Sequence, residues 1–223
     1  MSTKHREEPA FPPAIPDFRV YLVGAHSTGK TTLARYIRDH YGLPMISEVA
    51  RSILAELETS LDRLRSDVDA VSRYQREVFL RQIEAERRMT TGFVSDRAFC
   101  NLAYMANHAL NMSDIFREPV LDEYMRGISE GVVFFVRPHR ELLAPDGVRA
   151  GLAWEEVVTI DGMVKLFLEM WGIPYVSLSA LSMQERVRTI DAVLNLKVAG
   201  GKMRGAFPVG ERAVTLIPKT NGN

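Results

Sequence analysis

The fold is decided by one stretch near the start of the chain, Gly24-Ala25-His26-Ser27-Thr28-Gly29-Lys30-Thr31, with Thr32 directly after it. The stretch matches the pattern G-x-x-x-x-G-K-[ST] at every fixed position. In this pattern the backbone N–H groups of a glycine-rich loop, and of the helix that follows it, converge on phosphate oxygens. We therefore predict that residues 24–32 bind a nucleoside triphosphate, with Lys30 on the β- and γ-phosphates and Thr31 on Mg²⁺.

The residues on either side of this stretch have the pattern that such a loop requires. Before it, Arg19–Val23 is a short apolar run rich in β-branched and aromatic residues, which is typical of a buried strand. After it, Thr31–Tyr41 contains no glycine or proline, and Gly42 and Pro44 are expected to end a helix there. A glycine-rich turn can match the pattern by chance, but the flanking strand and helix favour a phosphate-binding loop.

Strands and helices are predicted to alternate through the rest of the chain. Further strands are predicted at 45–47, 93–95, 132–136 and 174–178, and further helices at about 48–58, 61–89, 97–110, 114–128, 163–170 and 182–196. Strands that alternate with helices form a mostly parallel sheet that is covered on both faces. We therefore predict an α/β fold of the P-loop NTPase type, with three layers in the order α/β/α.

The composition is that of an ordinary globular protein. Apolar residues make up 46% and charged residues 25% of the 223 residues, and 28 Lys+Arg balance 28 Asp+Glu. This balance gives no sign of a nucleic-acid or membrane partner for the chain as a whole. The one cysteine, Cys100, excludes an intrachain disulfide and suits a reducing compartment, so a cytoplasmic location is predicted.

The two ends of the chain differ from the middle. Residues 1–17 contain several prolines and no apolar segment, which is typical of a flexible leader and not of a secretory signal. Residues 198–223 are rich in glycine and carry more basic than acidic side chains, which indicates a basic tail. We assign the domain itself to residues 18–197.

Two pairs of polar residues follow predicted strands. Glu48 and Arg51 come after the second strand, and Asp96 and Arg97 after the third. Ligands in open α/β sheets bind at the carboxyl ends of the strands, so these side chains are expected beside the loop. Asp96 could hold Mg²⁺ or accept a hydroxyl proton, while Arg97 could bind phosphate. Helix-end roles for Glu48 and Asp96, with a solvated Arg51, stay open as alternatives.

A cationic loop follows the strand at 132–136. It begins with Arg137-Pro138-His139-Arg140 and continues through Asp146-Gly147-Val148-Arg149. Such a loop could close over the phosphates, exclude water and bring Arg149 to the transferred group. The alternative is a surface turn, because Asp-Gly is a common turn dipeptide.

Taken together, these motifs resemble one family, the NadR-like P-loop kinases that carry the AAA label. This group is similar to the nicotinamide riboside kinase domain and, more distantly, to deoxynucleoside and thymidylate kinases. The resemblance spans about residues 19–196 and lies in residues 24–31, Ser47-Glu48-Val49-Ala50-Arg51, Gln82, Asp96-Arg97, Ala103-Tyr104, Asp146-Gly147-Val148-Arg149 and Glu185-Arg186.

The resemblance implies a five-stranded parallel core, an inserted lid at about 137–156, and ATP with Mg²⁺ as cofactors. It also implies roles for individual residues: Glu48 as general base, Arg51 as a substrate-side arginine, Asp96 and Arg97 as the acid–arginine pair with Asp96 on the metal, and Arg149 as a lid arginine. The catalytic set that follows from it is Lys30, Glu48, Asp96, Arg97 and Arg149.

We interpret the chain as an ATP- and Mg²⁺-dependent kinase that phosphorylates a hydroxyl of a nucleoside or nucleotide. Five residues after Asp96, where family members often carry Asp, this chain has Asn101, so the acceptor is open. One alternative is a kinase that acts on a hydroxymethylated pyrimidine, 5-hydroxymethyluracil, in DNA, as in phage DNA modification, with the basic tail on the polymer. Another is an ATPase or GTPase switch without an acceptor, although the chain has no Asn/Thr-Lys-x-Asp guanine-reading motif.

Overall fold

The computed structural model describes residues 17–47, 53, 68–109, 116–142 and 153–199. In these parts of the chain five strands form one sheet: β1 (Arg19–Val23), β2 (Met45–Ile46), β3 (Phe93–Ser95), β4 (Val132–Val136) and β5 (Val176–Leu178). Their order across the sheet is β2-β3-β1-β4-β5, and every neighbouring pair is parallel. All five strands therefore end at the same edge of the sheet.

Six α-helices are present in the same parts of the chain. They are α1 (Lys30–Tyr41), α2 (Val68–Arg87), α3 (Cys100–Ala109), α4 (Leu121–Ser129), α5 (Trp154–Met170) and α6 (Met183–Ala199). A short 3₁₀ helix, Arg140–Leu142, follows β4. Among the described helices, none combines the length and the apolar character that crossing a membrane requires.

The central strand β1 shows why the sheet needs helices on both faces. Successive side chains of a strand point to opposite faces. Val20 and Leu22 pack with α1 and α6, whereas Tyr21 and Val23 pack with α2, α3, α4 and α5. None of the four is more than 1% exposed. The predicted three-layer α/β/α fold with a five-stranded parallel sheet is confirmed.

Two of the predicted helices differ from the observed ones. The helix expected over 97–110 begins as α3 at Cys100, because Ala98 has a φ of 48°, outside the right-handed helical region. The helical run expected over 114–128 is interrupted at 117–120, and α4 begins at Leu121. Pro119 explains the interruption, since proline lacks an N–H and disfavours the helical conformation of the residue before it.

Several predicted segments lie outside the described residues. They include residues 1–16 of the leader, residues 143–152 of the lid and residues 200–223 of the tail. The boundaries of leader, lid and tail therefore stay predictions.

Two glycine-to-alanine substitutions test the packing of the sheet layer. Gly131 lies between α4 and β4, and a Cβ there would come within 2.7 Å of Tyr21 Cε2 and 3.0 Å of the carbonyl oxygen of Arg19. Because Tyr21 is buried and β1 is central, we expect Gly131→Ala to lower the free energy of unfolding by ~1–3 kcal/mol. Urea unfolding followed by circular dichroism measures this change.

The matched control is Gly162→Ala in α5, where a Cβ would meet no atom within 4 Å. Alanine in an exposed helix interior is expected to raise the free energy of unfolding by ~0.5–1 kcal/mol. Equal effects of the two substitutions would contradict the described packing of Gly131.

Candidate functional site

The predicted phosphate-binding loop lies between β1 and α1, and its geometry requires two glycines. Gly24 has a φ of 144°, and a Cβ there would collide with the carbonyl oxygen of Val136 on β4. Gly29 has a φ of 89°, and a Cβ there would lie 2.8 Å from Cε of Met183 on α6. Other residues rarely adopt such φ values. The loop therefore packs closely against the end of β4 and the start of α6.

The side chain of Lys30 lies over the loop that precedes it. Its Nζ donates a hydrogen bond to the Ala25 carbonyl oxygen at 2.5 Å and lies 3.4 Å from Thr28 Oγ1. Thr28 Oγ1 donates to the same carbonyl oxygen at 3.1 Å. A lysine ammonium has three donors on a flexible stem, so it can exchange these neutral oxygens for phosphate oxygens.

Thr31 and Asp96 meet beside the loop. Thr31 lies on the first turn of α1, Asp96 directly follows β3, and Thr31 Oγ1 donates to Asp96 Oδ2 at 2.7 Å. Asp96 is 4% exposed, and its Oδ1 has no hydrogen-bond partner among the described residues. A buried carboxylate oxygen without a partner is unfavourable unless a cation or a water molecule compensates it. Hydroxyl and carboxylate oxygens are ligands that Mg²⁺ prefers, so these two residues fit a magnesium ion.

A buried polar network holds the turn that carries Asp96. Ser95 Oγ accepts hydrogen bonds from the backbone N–H of Ala98 at 3.3 Å and from Gln82 Nε2 at 3.0 Å. The same hydroxyl donates to Glu86 Oε1 at 3.2 Å. Ser95 interrupts the apolar run of β3, and the structure gives the reason: its hydroxyl connects the turn to α2.

Glu86 is the acceptor at the centre of this network. Its Oε1 also accepts hydrogen bonds from Gln82 Nε2 at 2.7 Å and from the Tyr124 hydroxyl at 2.9 Å. Burial raises the pKa of Glu86 to about 7, although the hydrogen bonds from Gln82, Tyr124 and Ser95 oppose the rise. Sequence reasoning noted Gln82 but missed Glu86, because a glutamate in a charged helix gives no sign of burial.

Helix α3 lies against the other side of the loop. The N–H of Gly24 donates to Cys100 Sγ at 3.2 Å, and the ring of His26 packs against that of Tyr104, with the ring centroids 4.1 Å apart and the planes tilted by 37°. Burial raises the pKa of Tyr104, and the positive charge of Arg97 opposes this rise. Arg97, itself half-buried, follows Asp96 in the turn between β3 and α3.

Asn101, the departure from the family pattern, is directed towards α2. It is 6% exposed, and its Nδ2 donates to the carbonyl oxygen of Gln75 at 2.8 Å. The side chain thus joins α3 to α2. An aspartate could not donate this hydrogen bond when it is ionised.

A second buried carboxylate lies near the loop and pairs with Arg137, the residue after β4. Arg137 Nη2 lies 2.7 Å from Asp161 Oδ2 on α5, and the guanidinium lies over the Phe135 ring, 4.8 Å from its centroid. Burial raises the pKa of Asp161, and the positive charges of Arg137, Lys165 and Lys30 oppose the rise. Arg137, a predicted lid residue, is therefore held at the edge of the sheet where the loop lies.

Sequence reasoning missed Asp161, although its position held a signal. The buried stripe of α5 repeats at helical spacing, and Asp161 lies within it beside apolar residues at Val157, Ile160, Val164, Phe167 and Leu168. A charged residue in an otherwise apolar stripe requires a buried partner, which in this protein is Arg137.

Three predicted site residues lie outside the described residues: Glu48, Arg51 and Arg149. Their roles as base, substrate-side arginine and lid arginine stay predictions. The loop residues 24–32 and Asp96 meet at the carboxyl edge of the sheet through the contact of Thr31 with Asp96, and Arg97 follows Asp96 in the same turn. The binding and catalytic roles of these residues stay predictions.

The loop, the buried aspartate beside it and the strand order define a P-loop protein with the fold of the P-loop kinases. More specifically, the chain belongs to the AAA domain family, whose model matches residues 19–186. No curated protein sequence is significantly similar to it.

Several solved structures have the same fold. Deoxyadenosine kinase from M. mycoides with bound dCTP is 15% identical with a TM-score of 0.61, over 79% of this chain and 98% of that chain. The NadR protein in complex with NR is 22% identical with a TM-score of 0.60, over 86% of this chain and 54% of that chain. Shikimate kinase from Acinetobacter baumannii in complex with shikimate is 14% identical with a TM-score of 0.52, over 85% of this chain and 97% of that chain. At these identities the likeness is one of fold.

The pKa of Glu86 predicts a pH dependence of stability. The folded protein binds this proton more tightly than the unfolded chain, so stability falls as pH rises between about 4.5, the ordinary value of glutamate, and about 7. Glutamine keeps an acceptor oxygen and cannot ionise. We expect Glu86→Gln to unfold like the wild type near pH 4.5 and to be more stable by about 3 kcal/mol at pH 8.

Urea unfolding of both proteins at the two pH values measures this difference. The matched control is Glu84→Gln on the exposed side of α2, where the Glu84 side chain is 61% exposed. The control is expected to follow the wild type at both pH values. If the difference in the free energy of unfolding between Glu86→Gln and the wild type were the same at both pH values, the raised pKa of Glu86 would be refuted.

Proposed function

We propose that the protein is an ATP- and Mg²⁺-dependent kinase that transfers the γ-phosphoryl group to a hydroxyl of a nucleoside- or nucleotide-type acceptor. The observation that carries the proposal is the contact of the Thr31 hydroxyl with the buried Asp96 carboxylate, directly beside the loop that ends in Lys30. The names of the similar structures support it: two are kinases of a nucleoside and of shikimate, both hydroxyl compounds, and NadR binds NR in its complex.

The residues around the loop suit phosphoryl transfer by position and charge. Thr31 and Asp96 would hold Mg²⁺, which supplies positive charge to the β- and γ-phosphate oxygens when it is bound. Lys30 binds the same phosphates, and Arg97 and Arg149 neutralise charge on the transferred group. Because the transition state is loose, positioning and electrostatic stabilisation contribute most of the rate.

A carboxylate is needed as the base that takes the proton from the acceptor hydroxyl. The acceptor oxygen forms a bond to the γ-phosphorus as the bond to the β-phosphate oxygen breaks, ADP leaves, and the hydroxyl proton passes to the base. Asp96 Oδ2 already accepts a hydrogen bond from Thr31, which favours a metal-binding role for Asp96. Glu48 is therefore our candidate for the base.

Substitution of Lys30 and Glu48 tests this assignment. With γ-labelled ATP and a panel of nucleosides and nucleotides, Lys30→Ala is expected to abolish transfer, because it removes the charge on the terminal phosphates. Glu48→Gln is expected to lower kcat by about 10²- to 10⁴-fold if Glu48 is the base. Transfer of label to an acceptor is measured separately from release of inorganic phosphate.

Two matched controls lie away from the loop: Lys197→Ala at an exposed position of α6, and Glu130→Gln, whose side chain is 70% exposed. Both are expected to retain wild-type transfer. Unchanged turnover in Glu48→Gln would move the role of base to Asp96. Phosphate release without any labelled acceptor would support the ATPase or GTPase switch instead.

Deletion of residues 200–223 distinguishes a small-molecule acceptor from DNA. A kinase acting on free nucleosides or nucleotides is expected to keep its kcat and its acceptor KM without the tail. Binding of 5-hydroxymethyluracil in DNA through basic residues would instead weaken on deletion and fall steeply with salt. The measurement is transfer to each acceptor, by the full chain and the shortened chain, at low and high salt. We expect kcat and the acceptor KM for free nucleosides or nucleotides to be unchanged by the deletion.

A further inference from the structure

Arg186 is a fully buried arginine on the first turns of α6, and the mechanism above does not use it. Its guanidinium donates hydrogen bonds to three carbonyl oxygens: that of Thr28 through Nη1, that of Ala180 through Nε at 2.5 Å, and that of Arg137 through Nη2 at 3.2 Å. The side chain is 0% exposed. A single residue thus connects the phosphate-binding loop, the end of β4 and the segment after β5.

The positive charge of Arg186 has no negative partner among the described residues. All its hydrogen-bond partners there are neutral carbonyl oxygens, and no carboxylate forms an ion pair with it. Burial lowers the pKa of Arg186, yet an arginine stays protonated in proteins. Buried charges are normally paired with an opposite charge. An anion in the phosphate-binding loop would supply that charge.

The hydrogen bond to Thr28 also determines how the loop presents its N–H groups. The peptide bonds of the described residues are trans, so the carbonyl of Thr28 and the N–H of Gly29 point in opposite directions. Arg186 Nη1 binds that carbonyl, and it lies 3.9 Å from the place where a Cβ on Gly29 would stand. The Gly29 N–H is therefore turned away from Arg186.

We propose that Arg186 is a positioning residue for the phosphates of the donor nucleotide. It turns the Thr28–Gly29 peptide so that the N–H faces the anion, and its buried charge is balanced by the polyphosphate once that is bound. This inference rests on the proposed function, because it assumes that the loop binds a nucleotide polyphosphate. Arg186 contributes through the loop and does not touch the transferred group.

Calorimetry with inorganic tripolyphosphate and Mg²⁺ tests the proposal, since this probe engages the loop without a base or an acceptor. We expect Arg186→Met to raise the Kd for tripolyphosphate about 10- to 100-fold, because it removes charged hydrogen bonds behind the loop. Arg186→Lys keeps the charge but cannot bind three carbonyl groups in the same fork, so a smaller increase is expected. Arg188→Met, at an exposed position of the same helix, is the matched control and is expected to bind like the wild type.

The same samples are unfolded by heat in the absence of ligand. A purely structural role predicts a lower Tm for Arg186→Met with an unchanged Kd, and that result would overturn the proposal. If Arg186→Met does not fold, Arg186→Lys decides: wild-type affinity overturns the proposal, and weaker binding at a near-wild-type Tm supports it. If the wild type binds neither tripolyphosphate nor ATP, the proposed function itself fails, and the role of Arg186 fails with it.

Discussion

The hydrogen bond between Thr31 and Asp96 depends on the whole sheet and in turn defines the site. Thr31 belongs to α1, which starts where β1 has turned through the glycine loop, and Asp96 belongs to the turn after β3. The two meet because β1 and β3 are neighbouring parallel strands that end at the same edge. A shift of register between these strands would separate hydroxyl and carboxylate by about 3.3 Å per residue and so break this contact.

The buried hydrogen-bond network around Glu86 holds the turn that carries Asp96. Ionisation of Glu86 in this network is unfavourable because the carboxylate is buried. A carboxyl group with a pKa of about 7 is partly charged at neutral pH in a buried setting. An apolar residue at this position would avoid that charge, but it would leave the donors of Gln82, Tyr124 and Ser95 without an acceptor. Through Ser95 the network also holds the Ala98 N–H, and with it the turn after Asp96, in which Ala98 has a positive φ. The cost of burying Glu86 is thus linked to a defined position of the Asp96 carboxylate.

The sequence predicts those parts of the fold and candidate site that depend on a local pattern of residues. It does not predict the parts that depend on contacts between segments far apart in the chain. The loop, the strands and the position of Asp96 follow from spacing along the chain, because the loop needs glycines at defined positions and parallel strands share one edge. The charged Asp161 within the apolar stripe of α5 indicated a buried partner, but no local pattern identified that partner as Arg137. Glu86 could not be predicted, since its role arises from contacts with β3 and α4 that no local pattern encodes. The late start of α3 was missed because an alanine gives no sign of a positive φ at Ala98.

The balanced net charge of the chain does not prevent it from binding a polyanion, because the charges that matter lie at one edge of the sheet. Lys30 and Arg186 contact loop carbonyl oxygens from two segments, and the backbone carbonyl of Arg137 accepts a hydrogen bond from Arg186. Of the two buried carboxylates there, Asp161 pairs with Arg137 and Asp96 faces a position suited to Mg²⁺. The charges of Asp96, Asp161 and Arg186 are buried, so each acts more strongly than a charge on the surface, because water screens it less. Binding of Mg²⁺ and a polyphosphate together would supply an opposite charge to both Asp96 and Arg186, which is why we expect the two ligands to bind cooperatively.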